Sequence, residues 1–330
     1  MISGTAPVSL ADLQVGVEHR LAGVREEIRR IIEADFPLIA QVNSHLTQMQ
    51  GKMFRPTLLL LAEAATTAEP VPRAVSLAAV VELIHLATLV HDDAVDHSVL
   101  RRGMPTINAL FSHQVAVIMG DYLYSRAVIE LVRLADLEPL RVLSRVTNEM
   151  TVGEMRQLLA HDPLAFSEAD YDLLIRAKTA SLISGACEVG ALGGTPGERD
   201  SMRRFGEGLG MAFQIVDDLL DFTGDEADIG KPVGLDLREH KVTLPLIYSL
   251  PHMVPEERAQ VEALMAAPEP SDAQIGGVVR AVTERGGLLY ARERAQQHCA
   301  QAEAALDALP ATPARETLRA SLTYVLERRR

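Results

Sequence analysis

The sequence predicts an all-α protein built as a single helical bundle. Apolar residues recur at helical spacing along almost all of the 330 residues, and a window with that period is typical of an amphipathic or buried helix. Alternation of β-branched and polar residues between turns, the pattern of strands, is nearly absent. Two acidic motifs directly follow apolar stretches. We therefore expect their carboxylates to lie inside the bundle.

Four long helices and four breaks follow from this periodicity. Glycine and proline punctuate the chain at 69–72, 193–197, 224–236 and 267–270. These breaks are too short to act as linkers, so one domain is expected over 1–330. Three glycines, Gly206, Gly208 and Gly210, interrupt the last of the long helices, and they indicate either close approach of a neighbouring helix or a local break. The helices are predicted at Ser76 to Asp96, Ala116 to Leu134, Tyr171 to Leu192 and Ser201 to Phe222.

Composition excludes several function classes. A net charge of −13, 4% aromatic residues and no tryptophan argue against nucleic-acid binding. The two cysteines, Cys187 and Cys299, have no metal-binding spacing and indicate a reducing compartment. The most apolar stretch, Leu77 to Val90, is interrupted by Glu82 and His85, so no membrane span is expected. With no secretory signal pattern at the N-terminus, a cytoplasmic location is expected.

The acidic motif DDxxD occurs twice, and both copies end an apolar run. On a helix its first, second and fifth residues lie within an arc of roughly 100°, so three carboxylates point the same way. A single copy could be a solvated helix end, but two copies predict two facing metal-binding sides. Mg²⁺ prefers carboxylate oxygens as protein ligands, so it is the expected ion. The six carboxylates are Asp92, Asp93, Asp96, Asp217, Asp218 and Asp221.

Basic residues near these acids are candidate anion ligands. Arg101 and Arg102 follow the first motif, and Lys52 and Arg55 precede an apolar helix, where an anion is favoured. Either pair alone could be a solvated surface pair. The segment 224–236, which carries Lys231, could be a lid or a surface loop. The C-terminal arginine run, 328–330, is interpreted as solvated charge.

His85 lies two helical turns before Asp92, on about the same face, where it could contact a ligand or fill the core. Glu82 and His85 also spell the ExxH element of di-iron bundles. That architecture needs a second ExxH, and no other histidine has a glutamate three residues before it. The di-iron interpretation is therefore set aside.

Taken in order, nine short motifs closely resemble those of the trans-polyprenyl diphosphate synthases over residues 50 to 250. They are Gly51-Lys52-x-x-Arg55-Pro56, Glu82-Leu-Ile-His85, His91-Asp92-Asp93-x-x-Asp96, Arg101-Arg102-Gly103, Gly120-Asp121, Lys178-Thr179, Phe213-Gln214-x-x-Asp217-Asp218-x-x-Asp221, Gly230-Lys231-Pro232 and Lys241-x-Thr243-Leu244-Pro245.

The resemblance implies a Mg²⁺-dependent prenyltransferase of isoprenoid biosynthesis. Such enzymes join isopentenyl diphosphate to an allylic diphosphate inside one large bundle of mostly antiparallel helices around a central apolar cavity, commonly as homodimers. Carried onto this chain, the six aspartates would hold about three Mg²⁺ ions. The allylic diphosphate would be held by Arg101, Lys178, Gln214, Lys231 and Lys241, with Lys178 counted as catalytic. Thr179 would be a further substrate-binding residue. Isopentenyl diphosphate would be bound by Lys52, Arg55, His85 and Arg102.

Product length is expected to depend on the residues four and five positions before the first motif. Here they are Thr88 and Ala87, both small, where short-product relatives often carry an aromatic side chain. We therefore expect a C30 to C50 product, with octaprenyl (C40) as the central expectation, made from a farnesyl or geranylgeranyl primer. The product could partition into membrane. The alternatives are a C15 to C20 synthase, a terpene cyclase and a regulatory subunit.

Overall fold

A computed structural model describes residues 8–49, 51–159, 163–223 and 234–328, and it confirms the all-α fold. The helices are α1 Leu10–Gln14, α2 Glu18–Ile32, α3 Pro37–Gln48, α4 Phe54–Thr66, α5 Arg73–Val95, α6 Ile107–Leu110, α7 His113–Arg133, α8 Leu137–Leu159, α9 Glu168–Ile175, α10 Ser181–Gly190, α11 Pro196–Thr223, α12 Leu235–Arg238, α13 Leu244–Ser249, α14 Pro255–Ala266, α15 Asp272–Glu284, α16 Gly287–Leu306 and α17 Pro313–Leu326.

Three of the four predicted long helices are continuous, as α5, α7 and α11. The fourth, predicted over 171–192, is divided into α9, a π-helical turn at Arg176–Ala180 and α10. A small antiparallel ribbon, β1 Leu100–Arg101 and β2 Met104–Pro105, was not predicted. Its turn residues Arg102 and Gly103 both have positive φ, 53° and 76°, as two-residue hairpin turns require.

The core forms where α5 and α11 are surrounded by their neighbours. Helix α5 packs on α2, α4 and α7, and α11 packs on α10 and α16. A smaller apolar cluster joins the end of α11 to α12, α13, α14 and α15. Among the described residues, α5 alone is long and apolar enough to cross a bilayer, but 56% of its most apolar window is buried inside the protein, as expected of a core helix.

The three glycines of α11 allow close helix packing. A Cβ at Gly206 would lie 2.7 Å from the Cα of Ser184, and one at Gly208 would lie 2.8 Å from the carbonyl oxygen of His298. A Cβ at Gly210 would lie 2.5 Å from the Cα of Ala180, at the end of the π-helical turn. Since α11 continues through all three, close approach is confirmed and the local break is wrong.

Gly210→Ala should therefore destabilise the protein by about 1–3 kcal/mol, because the added methyl group meets backbone rather than a movable side chain. Urea unfolding followed by circular dichroism would measure the loss. Gly197→Ala on the same helix is the matched control: nothing lies within 4 Å of its added Cβ, so it should be neutral or slightly stabilising. Equal effects at the two positions would contradict the packing argument.

Candidate active site

Two cavities meet at the ends of the helices that carry the acidic motifs. The first, here named the charged cleft, has a volume of about 470 Å³ and is lined by residues of α9, α11 and the segment 236–243, including Gln214, Asp218 and Lys241. The second, here named the deep pocket, has a volume of about 520 Å³ and extends along α5, α7 and α8. Asp96, Leu158 and Lys178 line both cavities, so the two are adjacent.

The first acidic motif ends α5 and divides its carboxylates between two environments. Asp93 is buried, and Arg101 holds it with its Nη2 at 2.8 Å and its Nε at 2.9 Å. The other two face lysines at longer range. Asp92 Oδ2 lies 3.8 Å from Lys178 Nζ, and Asp96 Oδ2 lies 3.9 Å from Lys241 Nζ.

The second motif, near the end of α11, shows the same division. Both oxygens of buried Asp218 accept hydrogen bonds, one from Gln214 Nε2 at 2.8 Å and one from the Tyr171 hydroxyl at 2.6 Å. Asp221 accepts from the backbone N–H groups of Leu235 and Asp236 at 3.0 and 3.1 Å. Asp217 is half exposed and has the Arg328 guanidinium at 3.1 Å.

Burial sets the electrostatics of these acids. It raises the pKa of Asp92 to about 6, partly offset by Lys178, and it also raises the pKa of Asp218 and Asp221. Burial, reinforced by the charge of Asp221, raises the pKa of Asp236 to about 7. A cleft in which several carboxylates resist ionisation is stabilised by added cations. In the part of the chain that the structure describes, however, no group of three or more His, Cys, Asp or Glu side chains is arranged to hold a metal ion by itself.

The π-helical turn places two predicted ligands in the cleft. Such turns insert one extra residue into a helix and often occur at functional sites. Here the turn carries Lys178 and Thr179. Lys178 Nζ lies 2.8 Å from Glu154 Oε1 and 3.4 Å from Gln157 Oε1. Thr179 donates a hydrogen bond to Gln214 Oε1 at 2.7 Å, which links the turn to α11.

A third cavity lies near the start of α4. His85 and Arg102 line it together with Glu82, Gly51, Arg25 and Arg29. Burial lowers the pKa of His85 well below its usual value, and the charges of Arg55 and Arg102 lower it further. Burial also lowers the pKa of Arg55, whose Nε is buried without a hydrogen-bond partner.

Most predicted site residues lie at these three cavities. Lys52 is exposed just before α4, and neither it nor Arg55 lines the third cavity. Lys231 lies outside the described residues, as does most of the segment predicted as a lid or a loop, 224–233. None of the three cavities is lined by Asp93, Asp217 or Asp221. Arg101 contacts Asp93 rather than the charged cleft. Ala87 and Thr88 both line the deep pocket.

The interpretation of the C-terminal arginine run was wrong at Arg328, which is not a solvated charge, whereas Arg329 and Arg330 lie outside the described residues. The side chain of Arg328 is only 10% exposed, and its guanidinium lies 4.2 Å from the centre of the Phe213 ring. Residues that the sequence did not single out also enter the site: Tyr171, Glu154, Gln157, Asp236, Arg25 and Arg29. Only Asp236 had a usable signal, as an acid in the Gly-rich segment with Lys231.

Comparison with known proteins places this geometry in a family. Residues 36–282 match the family model described as polyprenyl synthetase. The chain is 38% identical to the octaprenyl diphosphate synthase of Escherichia coli (strain K12) over 302 residues, 90% of this chain and 92% of that protein. It is also 38% identical to the all-trans-nonaprenyl-diphosphate synthase (geranyl-diphosphate specific) of Rhodobacter capsulatus over 308 residues, 93% of this chain and 94% of that one.

The fold agrees with these sequence matches. A crystal structure of a polyprenyl synthase from Caulobacter crescentus CB15, complexed with calcium and isoprenyl diphosphate, superposes with a TM-score of 0.92 at 33% identity and covers 99% of this chain and 100% of that one. The chain therefore belongs to the polyprenyl synthetase family, as a prenyltransferase of the medium- to long-chain trans-polyprenyl diphosphate synthase type.

Proposed function

We propose that this chain adds isopentenyl diphosphate head to tail onto a farnesyl or geranylgeranyl diphosphate primer and releases an all-trans C40 product. The observation that carries the proposal is the junction of the charged cleft with the deep pocket at Asp96 and Lys178. A diphosphate in the cleft would direct its hydrocarbon chain into the pocket. The small side chains of Ala87 and Thr88 leave that route open, which argues against the C15 to C20 alternative.

The donor set fits Mg²⁺, with about three ions per site. We assign the ligands facing the ions to Asp92, Asp96 and Asp217, because their nearest partners are side-chain cations that a metal could replace. Asp93, Asp218 and Asp221 would support them, since protein donors already occupy their oxygens. Oxygens of the diphosphate would complete the coordination. Bound metal would stabilise the negative charge that develops on the leaving diphosphate.

The protein's own cations have a related role. Lys178 and Lys241 both line the charged cleft, where they can bind diphosphate oxygens as the allylic C–O bond breaks. Apolar side chains of the deep pocket keep water away from the allylic cation. Glu154 is paired with Lys178 and is a poor candidate for the base, so the released pyrophosphate is proposed to accept the proton. Arg101 would act indirectly, by fixing Asp93, and Lys231 would complete the diphosphate site.

Isopentenyl diphosphate is assigned to the third cavity. Arg55 does not line this cavity, but its charge acts on His85 and Glu82, which do. Its buried Nε has no protein acceptor, and an unpaired buried donor is costly unless a ligand satisfies it. Arg102 and Lys52 would add positive charge. His85 would bind as a neutral imidazole, because its lowered pKa keeps it unprotonated at neutral pH.

Assembly, domain organisation and location complete the proposal. Helix α7 exposes the apolar side chains of Ile118, Ile129 and Val132, at 62%, 56% and 63%. A surface this apolar favours a partner, and we assign it to a second copy of the chain, which sedimentation velocity can test against a monomer. One polyprenyl synthase domain over 1–330, a cytoplasmic location and no nucleic-acid partner are part of the same proposal.

Mass spectrometry of the prenyl product tests the activity. The purified chain with Mg²⁺, isopentenyl diphosphate and C10, C15 or C20 primers should give a main product of C40. Omitting isopentenyl diphosphate should leave the primer unchanged, whereas a terpene cyclase would still consume it. A chain that is inactive alone but active with a second subunit would support the regulatory alternative. A main product of C15 or C20 would contradict the chain-length assignment.

A further inference from the structure

Tyr171 contacts the second acidic motif, although no pattern in the sequence indicated this contact. Its side chain is 2% exposed, and its hydroxyl donates to Asp218 Oδ2 at 2.6 Å. A phenol hydroxyl is protonated at neutral pH, so Tyr171 is the donor in this pair.

This bond is the last link in a chain of three. Thr179 donates to Gln214, Gln214 donates to Asp218 Oδ1, and Tyr171 donates to Asp218 Oδ2. The chain joins the π-helical turn, α11 and α9. Since both oxygens of Asp218 are engaged, its side chain cannot rotate without losing a donor. Asp217 directly precedes Asp218 on α11, so the hydrogen bonds that fix Asp218 also fix the backbone at Asp217.

Helix α9 is itself held by residues of α16. Arg294 of α16 contacts Glu168 at 3.1 Å through Nε and Asp172 at 3.2 Å through Nη2. The hydroxyl of Tyr290 lies 2.8 Å from both oxygens of Glu168, to which it donates its one proton. These contacts fix α9 at Glu168 and Asp172, within one helical turn of Tyr171, and so give its side chain a rigid support in the cleft.

We propose that Tyr171 is a positioning residue, which fixes Asp218 through its hydroxyl and thereby holds Asp217 and the π-helical turn in the arrangement that accepts a metal-bound diphosphate. The inference rests on the proposed function, because it assumes that the acidic motifs take up Mg²⁺. Tyr171 itself contacts neither substrate nor metal in this assignment.

The test is Tyr171→Phe, which removes the hydroxyl and keeps the buried ring. Calorimetric titration of Mg²⁺ into protein saturated with inorganic pyrophosphate measures the effect without turnover. We expect the Mg²⁺ concentration at half-saturation to rise by about tenfold, while KM for isopentenyl diphosphate stays unchanged because the third cavity is not linked to this chain of hydrogen bonds.

Tyr122→Phe is the matched control. The Tyr122 hydroxyl donates to the backbone carbonyl of Ile32 at 3.0 Å and contacts no acid of the two motifs, so its loss should leave the Mg²⁺ titration unchanged. A Tyr171→Phe titration equal to that of the wild type, or equal shifts in both variants, would overturn the positioning role alone. If the wild type itself takes up no Mg²⁺ with pyrophosphate, the proposed metal function fails as well, and the wild-type titration identifies that case.

Discussion

Replacing Asp92 by asparagine should lower turnover by at least about 10²-fold and at the same time stabilise the metal-free protein. Turnover falls because the variant loses a carboxylate that we assign to metal binding and to neutralising charge at the leaving group. Stability rises because burial raises the pKa of Asp92 to about 6 in the folded state. Ionised Asp92 therefore opposes folding, by an amount on the order of 3 kcal/mol.

The gain in stability from Asp92→Asn should depend on pH. When the pKa of an acid is higher in the folded state than in the unfolded state, its ionisation reduces the free energy of unfolding. This loss is absent at a pH below the unfolded-state pKa and complete at a pH above the folded-state pKa. The advantage of Asp92→Asn over the wild type should thus be small at pH 4 and grow until about pH 6. Urea unfolding at a series of pH values, in the presence of a chelator, would measure it.

Asp200→Asn is the control for both readouts. Asp200 lies on α11, is half exposed, and hydrogen bonds from Arg203 lower its pKa. Its replacement should leave turnover unchanged and reduce stability slightly at neutral pH, which is opposite in sign to Asp92→Asn. If Asp92→Asn retains Mg²⁺-dependent turnover, the assignment of Asp92 is wrong.

Ala87→Phe should shorten the main product from C40 to C15 or C20. Ala87 is 3% exposed and lines the deep pocket, so an aromatic ring there would fill the route of the growing chain below Asp92. Overpacking usually costs about 1–3 kcal/mol, and the open pocket should keep the cost at the low end. Mass spectrometry of the products identifies the change, and thermal unfolding checks that the variant is folded.

Ala87→Ser is the matched control, because it changes polarity at this position with little added volume. It should retain the long product. Thr88→Phe, from the next residue along the same pocket, should also shorten the product. A folded Ala87→Phe enzyme with an unchanged product spectrum would show that the floor of the cavity lies elsewhere.

The helices and the acidic motifs could be predicted because both depend on local spacing. A helix requires apolar periodicity over neighbouring turns, and the DDxxD spacing alone places Asp92, Asp93 and Asp96 on one side of α5. The different environments of Asp92 and Asp93 could not be predicted, since they depend on a contact with Arg101 that the β-ribbon creates.

Contacts between distant segments explain the remaining differences. Tyr171 reaches Asp218 across 47 positions of sequence, and Arg328 reaches Asp217 across 111. Neither residue stands in a pattern that indicates its partner. The π-helical turn at Arg176–Ala180 could not be predicted either, because one extra residue in a helix changes the apolar period too little to be recognised.

The packing of α16 against α11 has a consequence for the order in which the two sides of the active site fold. Gly208 lies directly against the backbone of His298 and the side chain of Ala302, so the helix that carries the second acidic motif gains one of its principal neighbours from about 90 residues further along the chain. During synthesis, the glycine-rich face of α11 remains uncovered until α16 has been made. The first acidic motif, by contrast, lies on α5, whose principal neighbours α2, α4 and α7 all precede residue 134. The two sides of the active site would therefore mature at different times, and the second would be completed late.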